Sequence, residues 1–115
     1  MNVLVVEDEP GTSAVLTKLL TRWGYDVAIA ASADSARTFL DNFRFDALLS
    51  DLRLPNGDGL EIVAEAKRRQ PRTLTVALGA QADAADRDAG LRAGFDHYLA
   101  KPFDARYLRE LLAAG

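Results

Sequence analysis

The sequence predicts an α/β domain with one parallel sheet, from three observations. Apolar strand-like runs alternate with helical patterns five times in 115 residues. The first strand segment, Val3-Leu4-Val5-Val6, is a continuous apolar run, which suits a strand buried on both faces. The intervening segments place apolar residues on one face at three-to-four-residue spacing, so each helix has a stripe to lay against the sheet. Strands that alternate with helices imply right-handed crossovers and a sheet covered on both sides.

The elements follow in order. Asn2 to Glu7 is a strand around Val3-Leu4-Val5-Val6. Residues 11–23 form a helix with Val15, Leu16, Leu19, Leu20 and Trp23 inward, ended by Gly24, which tolerates positive φ. Asp26 to Ala31 is the second strand. Ser32 caps a helix whose inner face is Ala36, Phe39, Leu40 and Phe43. Asp46 to Asp51 is the third strand, and Leu54 to Gly59 is a loop by composition. Asp58 and Glu61 form a capping-box-like start to a helix that runs to about Arg69 and is stopped by Pro71. Thr73 to Gly79 is strand four. An alanine-rich helix follows from about Asp83 to Ala93, weakened by Gly90. Phe95 to Ala100 is a short fifth strand. Asp104 then caps a last helix with Tyr107, Leu108, Leu111 and Leu112 inward.

Composition narrows the class. With 49% hydrophobic and 27% charged residues the chain can pack one core, and its length suits a single domain over residues 1–115. A net charge of −3 is too mild to point to nucleic acid or anionic lipid. No apolar run approaches the roughly 20 residues that span a bilayer. Met1 to Leu4 has no basic leader before its apolar run, so no signal peptide is expected. The absence of cysteine excludes disulfides and thiolate sites and fits a cytoplasmic location.

Acids stand where strands end. Glu7, Asp8 and Glu9 follow the first strand, and Asp51 ends the third. Sites in open parallel sheets form beyond the carboxyl ends of strands. In the order 2-1-3-4-5, strands one and three are neighbours and Glu7, Asp8 and Asp51 converge. Carboxylates so close repel one another, and a hard divalent cation removes the conflict. Oxygen ligands with no nearby His or Cys suit Mg2+. Asp8 or Asp51 taken alone reads more readily as a cap of the turn that follows it, and the two acidic strand ends together with a lysine after strand five shift the reading toward a site. Lys101, after strand five and before Pro102, adds a cation that can reach these acids, although a lysine in a loop is ordinarily just solvated.

Three blocks carry a family resemblance. Val3-Leu4-Val5-Val6-Glu7-Asp8-Glu9, Ser50 to Gly59 (SDLRLPNGDG), and Tyr98-Leu99-Ala100-Lys101-Pro102-Phe103 resemble the signature blocks of response-regulator receiver domains, the CheY-like superfamily of two-component signalling. Order and spacing match over the whole chain. The resemblance implies a flavodoxin-like doubly wound (βα)5 fold, a single five-stranded parallel sheet in the order 2-1-3-4-5. It implies that Asp51 is the phosphoacceptor and that Mg2+ is held by Asp8, Asp51 and the Arg53 backbone carbonyl, with Glu7 acting through water. Lys101 would pair with the phosphoryl oxygens, and Lys101–Pro102 would be cis. Tyr98 matches the aromatic that swings between exposed and buried positions, and Arg53 and Gln81 stand where phosphate loss is tuned. A histidine kinase, a phosphotransfer protein or a small acyl phosphate would be the donor. An output domain or target protein would read the result, and the face from strand four to helix five is the candidate dimer surface. The domain itself would contact neither nucleic acid nor membrane. It would be a signalling module, not an enzyme, although it assists its own phosphorylation and dephosphorylation.

One position departs from the family. Where strand four usually ends in Ser or Thr, whose hydroxyl bonds the phosphoryl group, this chain has Gly79, followed by Ala80. The coupling of phosphate to conformational change is therefore expected to be weakened, with Gly79, Ala80 and Tyr98 as the altered switch. The alternative is a receiver-like protein-binding module that works without phosphorylation. His97, the only histidine, reads as a solvated side chain on an edge strand. A flavin carrier would need a Ser/Thr/Gly-rich loop where Glu7-Asp8-Glu9-Pro10 stands. A dehalogenase-type phosphatase would need two Asp separated by one residue, which Asp8-Glu9-Pro10 does not supply.

Overall fold

The computed structural model describes residues 1–54, 57–80 and 84–114. The elements are β1 (Asn2–Val6), α1 (Pro10–Arg22), β2 (Asp26–Ala30), α2 (Ala33–Asn42), β3 (Ala47–Asp51), β4 (Arg53–Leu54), β5 (Gly57–Asp58), α3 (Gly59–Arg69), β6 (Leu74–Ala80), α4 (Ala84–Ala93), β7 (His97–Lys101) and α5 (Ala105–Ala114). Five strands form one sheet in the order β2-β1-β3-β6-β7, every pair parallel. With the small β4–β5 ladder set aside, this is the 2-1-3-4-5 arrangement expected. That ladder corrects the expectation of an unstructured loop over Leu54 to Gly59. Arg53 pairs with Asp58 and Leu54 with Gly57 in antiparallel register.

Helices cover both faces. Leu16 and Leu20 of α1 and Leu108, Leu111 and Leu112 of α5 pack on Val3, Val5, Leu49, Val76 and Leu78. On the other face Ala36 and Leu40 of α2 and Ile62 and Ala66 of α3 pack on Leu4, Val6 and Leu48. Val3 to Val6 are fully buried, which is why their sequence is a run and not an alternation. Ser32 caps α2, its hydroxyl accepting from Ser35 N at 3.2 Å. The Asp104 carboxylate accepts from Arg106 N at 2.8 Å at the start of α5. Gly24 has φ +89° beyond α1.

Three residues expected inward are exposed. Val15 lies at the margin of the α1 stripe, whose centre is Leu16 and Leu20. α2 ends at Asn42 and the backbone is extended at Phe43, so Phe43 leaves the helical face and only leans on Phe39. Tyr107 flanks the α5 stripe, which Leu108, Leu111 and Leu112 already fill. The side chain of Asp58, expected to cap α3, lies outside the described residues, as does Asp83, expected to begin the fourth main helix.

Candidate functional site

The site lies beyond the carboxyl ends of β1, β3 and β7. Neighbouring β1 and β3 pair Val6 with Ser50, so Glu7 and Asp51 emerge side by side. Glu7 is 2% exposed, Asp51 is half-buried and Asp8 is exposed. One carboxylate oxygen from each of the three comes within 4.8 Å of the others. Lys101, at the end of β7, reaches across the end of β6. Its ammonium donates to Glu7 Oε2 at 2.8 Å and to Asp51 Oδ2 at 3.3 Å. The Lys101–Pro102 peptide is cis. The backbone braces the acids: Glu9 N donates to Glu7 Oε1 at 3.2 Å, and Arg53 N donates to Asp51 Oδ1 at 3.2 Å.

Gly59 lets α3 start close beneath the site. A Cβ there would overlap the Asp51 carbonyl oxygen and stand 3.0 Å from Leu52 Cα. Gly59 N donates to Leu52 O at 2.9 Å across the same contact. Glycine at this position is a requirement of close approach.

Burial pushes the Glu7 carboxyl above its usual range, and the Asp51 charge adds to that rise, while the Lys101 hydrogen bond opposes it. Burial alone would lower the Lys101 ammonium. Its hydrogen bond to Glu7 and the charges of Asp51 and Glu7 outweigh burial and raise it. One ammonium thus faces three carboxylates. The clustered oxygen-only donors fit a hard divalent cation such as Mg2+, which would offset the remaining negative charge.

The side chain of Arg53 turns away from the acids to Asp86 of α4, at 2.6 Å. Nothing in the sequence singles out Asp86 as its partner, because the pairing depends on how α4 docks. Tyr98 is buried, 6% exposed, against Gly79. A Cβ at Gly79 would overlap the Tyr98 hydroxyl and stand 2.8 Å and 2.9 Å from ring carbons Cζ and Cε2. The Arg87 guanidinium lies 5.8 Å from the centre of the same ring. His97 is half-buried on the edge strand β7, and Thr75 bonds Asp96. Gln81, read as a tuning position, lies outside the described residues.

The family model described as the response regulator receiver domain matches residues 3–113. The chain belongs to the response-regulator receiver family. This receiver is 40% identical to the transcriptional regulatory protein TcrA of Mycobacterium tuberculosis over 113 residues, covering 98% of this chain and 44% of that protein. It thus spans less than half the length of that curated relative. The receiver domain of the sensor histidine kinase PA1611 from Pseudomonas aeruginosa, solved with a magnesium ion in its active site cleft, superposes with a TM-score of 0.90 at 36% identity, covering 98% of this chain and 94% of that one. A response regulator from Burkholderia pseudomallei, solved with a phosphorylated aspartic acid, a calcium ion and citrate, superposes with a TM-score of 0.88 at 31% identity, covering 96% of this chain and 65% of that one. Receivers of this family are signalling domains of two-component systems. Among the described residues, no helix is long and apolar enough to cross a membrane.

Proposed function

We propose that this receiver is the phosphoacceptor of a two-component phosphorelay and that Asp51 takes the phosphoryl group. The observation that carries the reading is the convergence of Glu7, Asp8, Asp51 and Lys101 on one crevice. Asp8, Asp51 and the Arg53 carbonyl would hold Mg2+ directly, and Glu7 would act on it through water. Bound there, Mg2+ supplies Lewis-acid charge that lets a dianionic phosphoryl group approach the acids. An Asp51 carboxylate oxygen forms the new bond to phosphorus while the bond from phosphorus to the donor histidine nitrogen, or to the oxygen of a small acyl phosphate, breaks. The donor leaves with its electron pair. Lys101 moves its hydrogen bond from Asp51 Oδ2 to a phosphoryl oxygen, and water later returns the aspartyl phosphate to aspartate.

The partners are a histidine kinase or phosphotransfer protein as donor and an output domain or target protein as reader. Residues 1–115 act as one cytoplasmic receiver domain. The domain contacts neither nucleic acid nor membrane, and the face from β6 to α5 serves any dimer. Acetyl phosphate with Mg2+, followed by borohydride reduction and peptide mapping, tests the assignment. Reduction converts an aspartyl phosphate to homoserine. Homoserine at position 51 alone is expected, and its appearance at another acid instead would overturn the reading.

Tyr98 standing inward against Gly79 favours a second feature, a weakened switch. If the aromatic is inward before phosphorylation, phosphate gains little by selecting that position, because a ligand shifts an equilibrium only through differential affinity. In the limit the receiver binds its partner whether phosphorylated or not. Beryllofluoride, a phosphoryl mimic, should cause small amide shifts over residues 79–100 in wild type and larger ones in Gly79→Thr. Equal, large shifts in both would remove the weakened switch.

A further inference from the structure

We propose that the amino end of the sheet, opposite Asp51, carries a binding site for a free nucleotide, with its phosphates on Arg44 and Arg72 and its base against Phe43. Asn2 and Asp26 start β1 and β2, and Asp46 and Thr73 immediately precede β3 and β6. There a cavity of about 420 Å3 opens, lined by Arg44, Arg69 and Arg72 together with Phe45, Asp46 and Thr73. Pockets of about 300–1,000 Å3 suit small ligands. A second cavity of about 220 Å3 shares Asn2, Arg44 and Phe45 with the first and adds Val27, Phe39 and Phe43. The walls are braced before any ligand arrives. The Gln70 side chain donates to Phe43 O at 2.7 Å and accepts from Phe45 N at 2.8 Å, and the Thr73 hydroxyl donates to Phe45 O at 2.7 Å. These bonds tie the stretch that bears Arg44 to the stretch that bears Arg69 and Arg72.

The charges divide between the two cavities. Arg69 is ion-paired with Asp41, and the Asp46 carboxylate accepts from Asn2 N at 2.7 Å. Arg44 and Arg72 have no ion-pair partner among the described residues. Asp46 is the acid of the first cavity, so positive charge is in excess there. Guanidinium forks grip phosphate oxygens bidentately. The second cavity is aromatic. Phe43 is 60% exposed and meets Phe39 with ring centres 6.1 Å apart, which leaves much of its ring open. A nucleobase stacks on such a face. Asp26 lines the same cavity and can only accept, so it repels phosphate and suits the exocyclic amino group of a base. An arginine-lined cavity beside an aromatic one thus fits phosphates at one end and a base at the other. Inorganic phosphate or a bare nucleoside would fill only half of it. The site does not depend on Asp51 being the phosphoacceptor.

ATP without Mg2+ is titrated by calorimetry and amide NMR against wild type, Arg44→Gln, Arg72→Gln, Phe43→Ala and Asp51→Asn. Tripolyphosphate and adenosine serve as the two half-ligands. Arg44, Arg72 and Phe43 are exposed, so their variants should keep the wild-type melting temperature. ATP should bind more tightly than either half-ligand and shift amides of residues 43–46 and 70–74. Each arginine variant should bind both ATP and tripolyphosphate about tenfold more weakly. Phe43→Ala should lose about fivefold or more on ATP and nothing on tripolyphosphate, a split that a merely structural defect would not give. Asp51→Asn should bind ATP as wild type does, and loss of binding there would place ATP at the other end of the sheet and overturn the proposal. No binding at millimolar ATP, wild-type affinity in both arginine variants, or tripolyphosphate bound as tightly as ATP would overturn it too. Tighter binding of single-stranded oligoadenylate than of ATP would overturn the free-nucleotide reading in favour of nucleic acid.

Discussion

Gly79→Ala is the sharpest test of the packing at this site. The new methyl carbon would overlap the Tyr98 hydroxyl and press on Cζ and Cε2 at 2.8 Å and 2.9 Å. The strands cannot part, because β6 and β7 are in register at five positions. The ring must leave. Tyr98 is 6% exposed, so eviction forfeits the burial of a large side chain, about 1.5–3 kcal/mol. The Arg87 contact adds about 0.5–1 kcal/mol. Against this, Gly79 is not in the left-handed region, so alanine fits the backbone and gains about 0.4–1 kcal/mol from a less flexible unfolded chain. The loss is larger. Gly79→Ala should be destabilised by about 1–3 kcal/mol, a drop of roughly 4 °C in melting temperature for each kcal/mol. Urea and thermal unfolding measure this, and a double-mutant cycle with Tyr98→Ala isolates the clash. In the Tyr98→Ala background the added methyl should cost nothing, giving a coupling of about 1–3 kcal/mol. A Gly79→Ala protein as stable as wild type, or costs that simply add, would refute the argument.

The remaining predictions concern charge. Asp8→Asn relieves repulsion among three acids whose oxygens lie within 4.8 Å, so it should melt above wild type in metal-free buffer. It should also lose most of the gain from Mg2+, which for wild type is about 2.7 kcal/mol at a hundredfold excess over Kd; an undiminished gain would remove Asp8 from the metal site. Asp96 gives a pH dependence. Burial opposes its ionisation, but hydrogen bonds from Lys67 Nζ at 3.0 Å and 2.9 Å and from Thr75 N hold its carboxyl below the ordinary 3.8. A depressed carboxylate stabilises the fold above its unfolded pKa, and that stability is lost as pH falls through the folded value. The stability gap between wild type and Asp96→Asn should therefore be flat above about pH 5 and shrink as pH falls below the ordinary carboxylate range. A gap that is constant throughout in urea unfolding would contradict the linkage.

Much of the fold was legible because the inner strands are marked by apolar runs such as Val3 to Val6 and Ala47 to Leu49. Val3 to Val6 read as a strand buried on both faces, and the structure has them so. The acids were legible from the same runs: Glu7 ends the first, and Asp51 follows Ser50 at the end of the third. Helix margins were less so. Periodicity marks a stripe but not its edges, so Val15, Phe43 and Tyr107 matched the pattern and still face solvent. The β4–β5 ladder was hidden because two-residue strands carry no periodicity and Gly57 and Gly59 read as loop. Contacts between distant segments had no sequence signal. Gln70 is one case, donating to Leu40 O at 3.2 Å and Phe43 O at 2.7 Å while accepting from Phe45 N at 2.8 Å, so it closes the end of α2. Arg53 with Asp86 is another. The inward Tyr98 lies between these cases, since glycine at position 79 signals open space but not what fills it.

The central claim is that Asp51 accepts a phosphoryl group in a reaction that needs Mg2+. Intact mass of wild type and Asp51→Asn after incubation with acetyl phosphate, with and without Mg2+, tests it most directly. The account predicts one added phosphoryl group on wild type with Mg2+, none once the metal is chelated, and none on Asp51→Asn. Uptake by Asp51→Asn equal to that of wild type, or uptake unaffected by chelation, would contradict it.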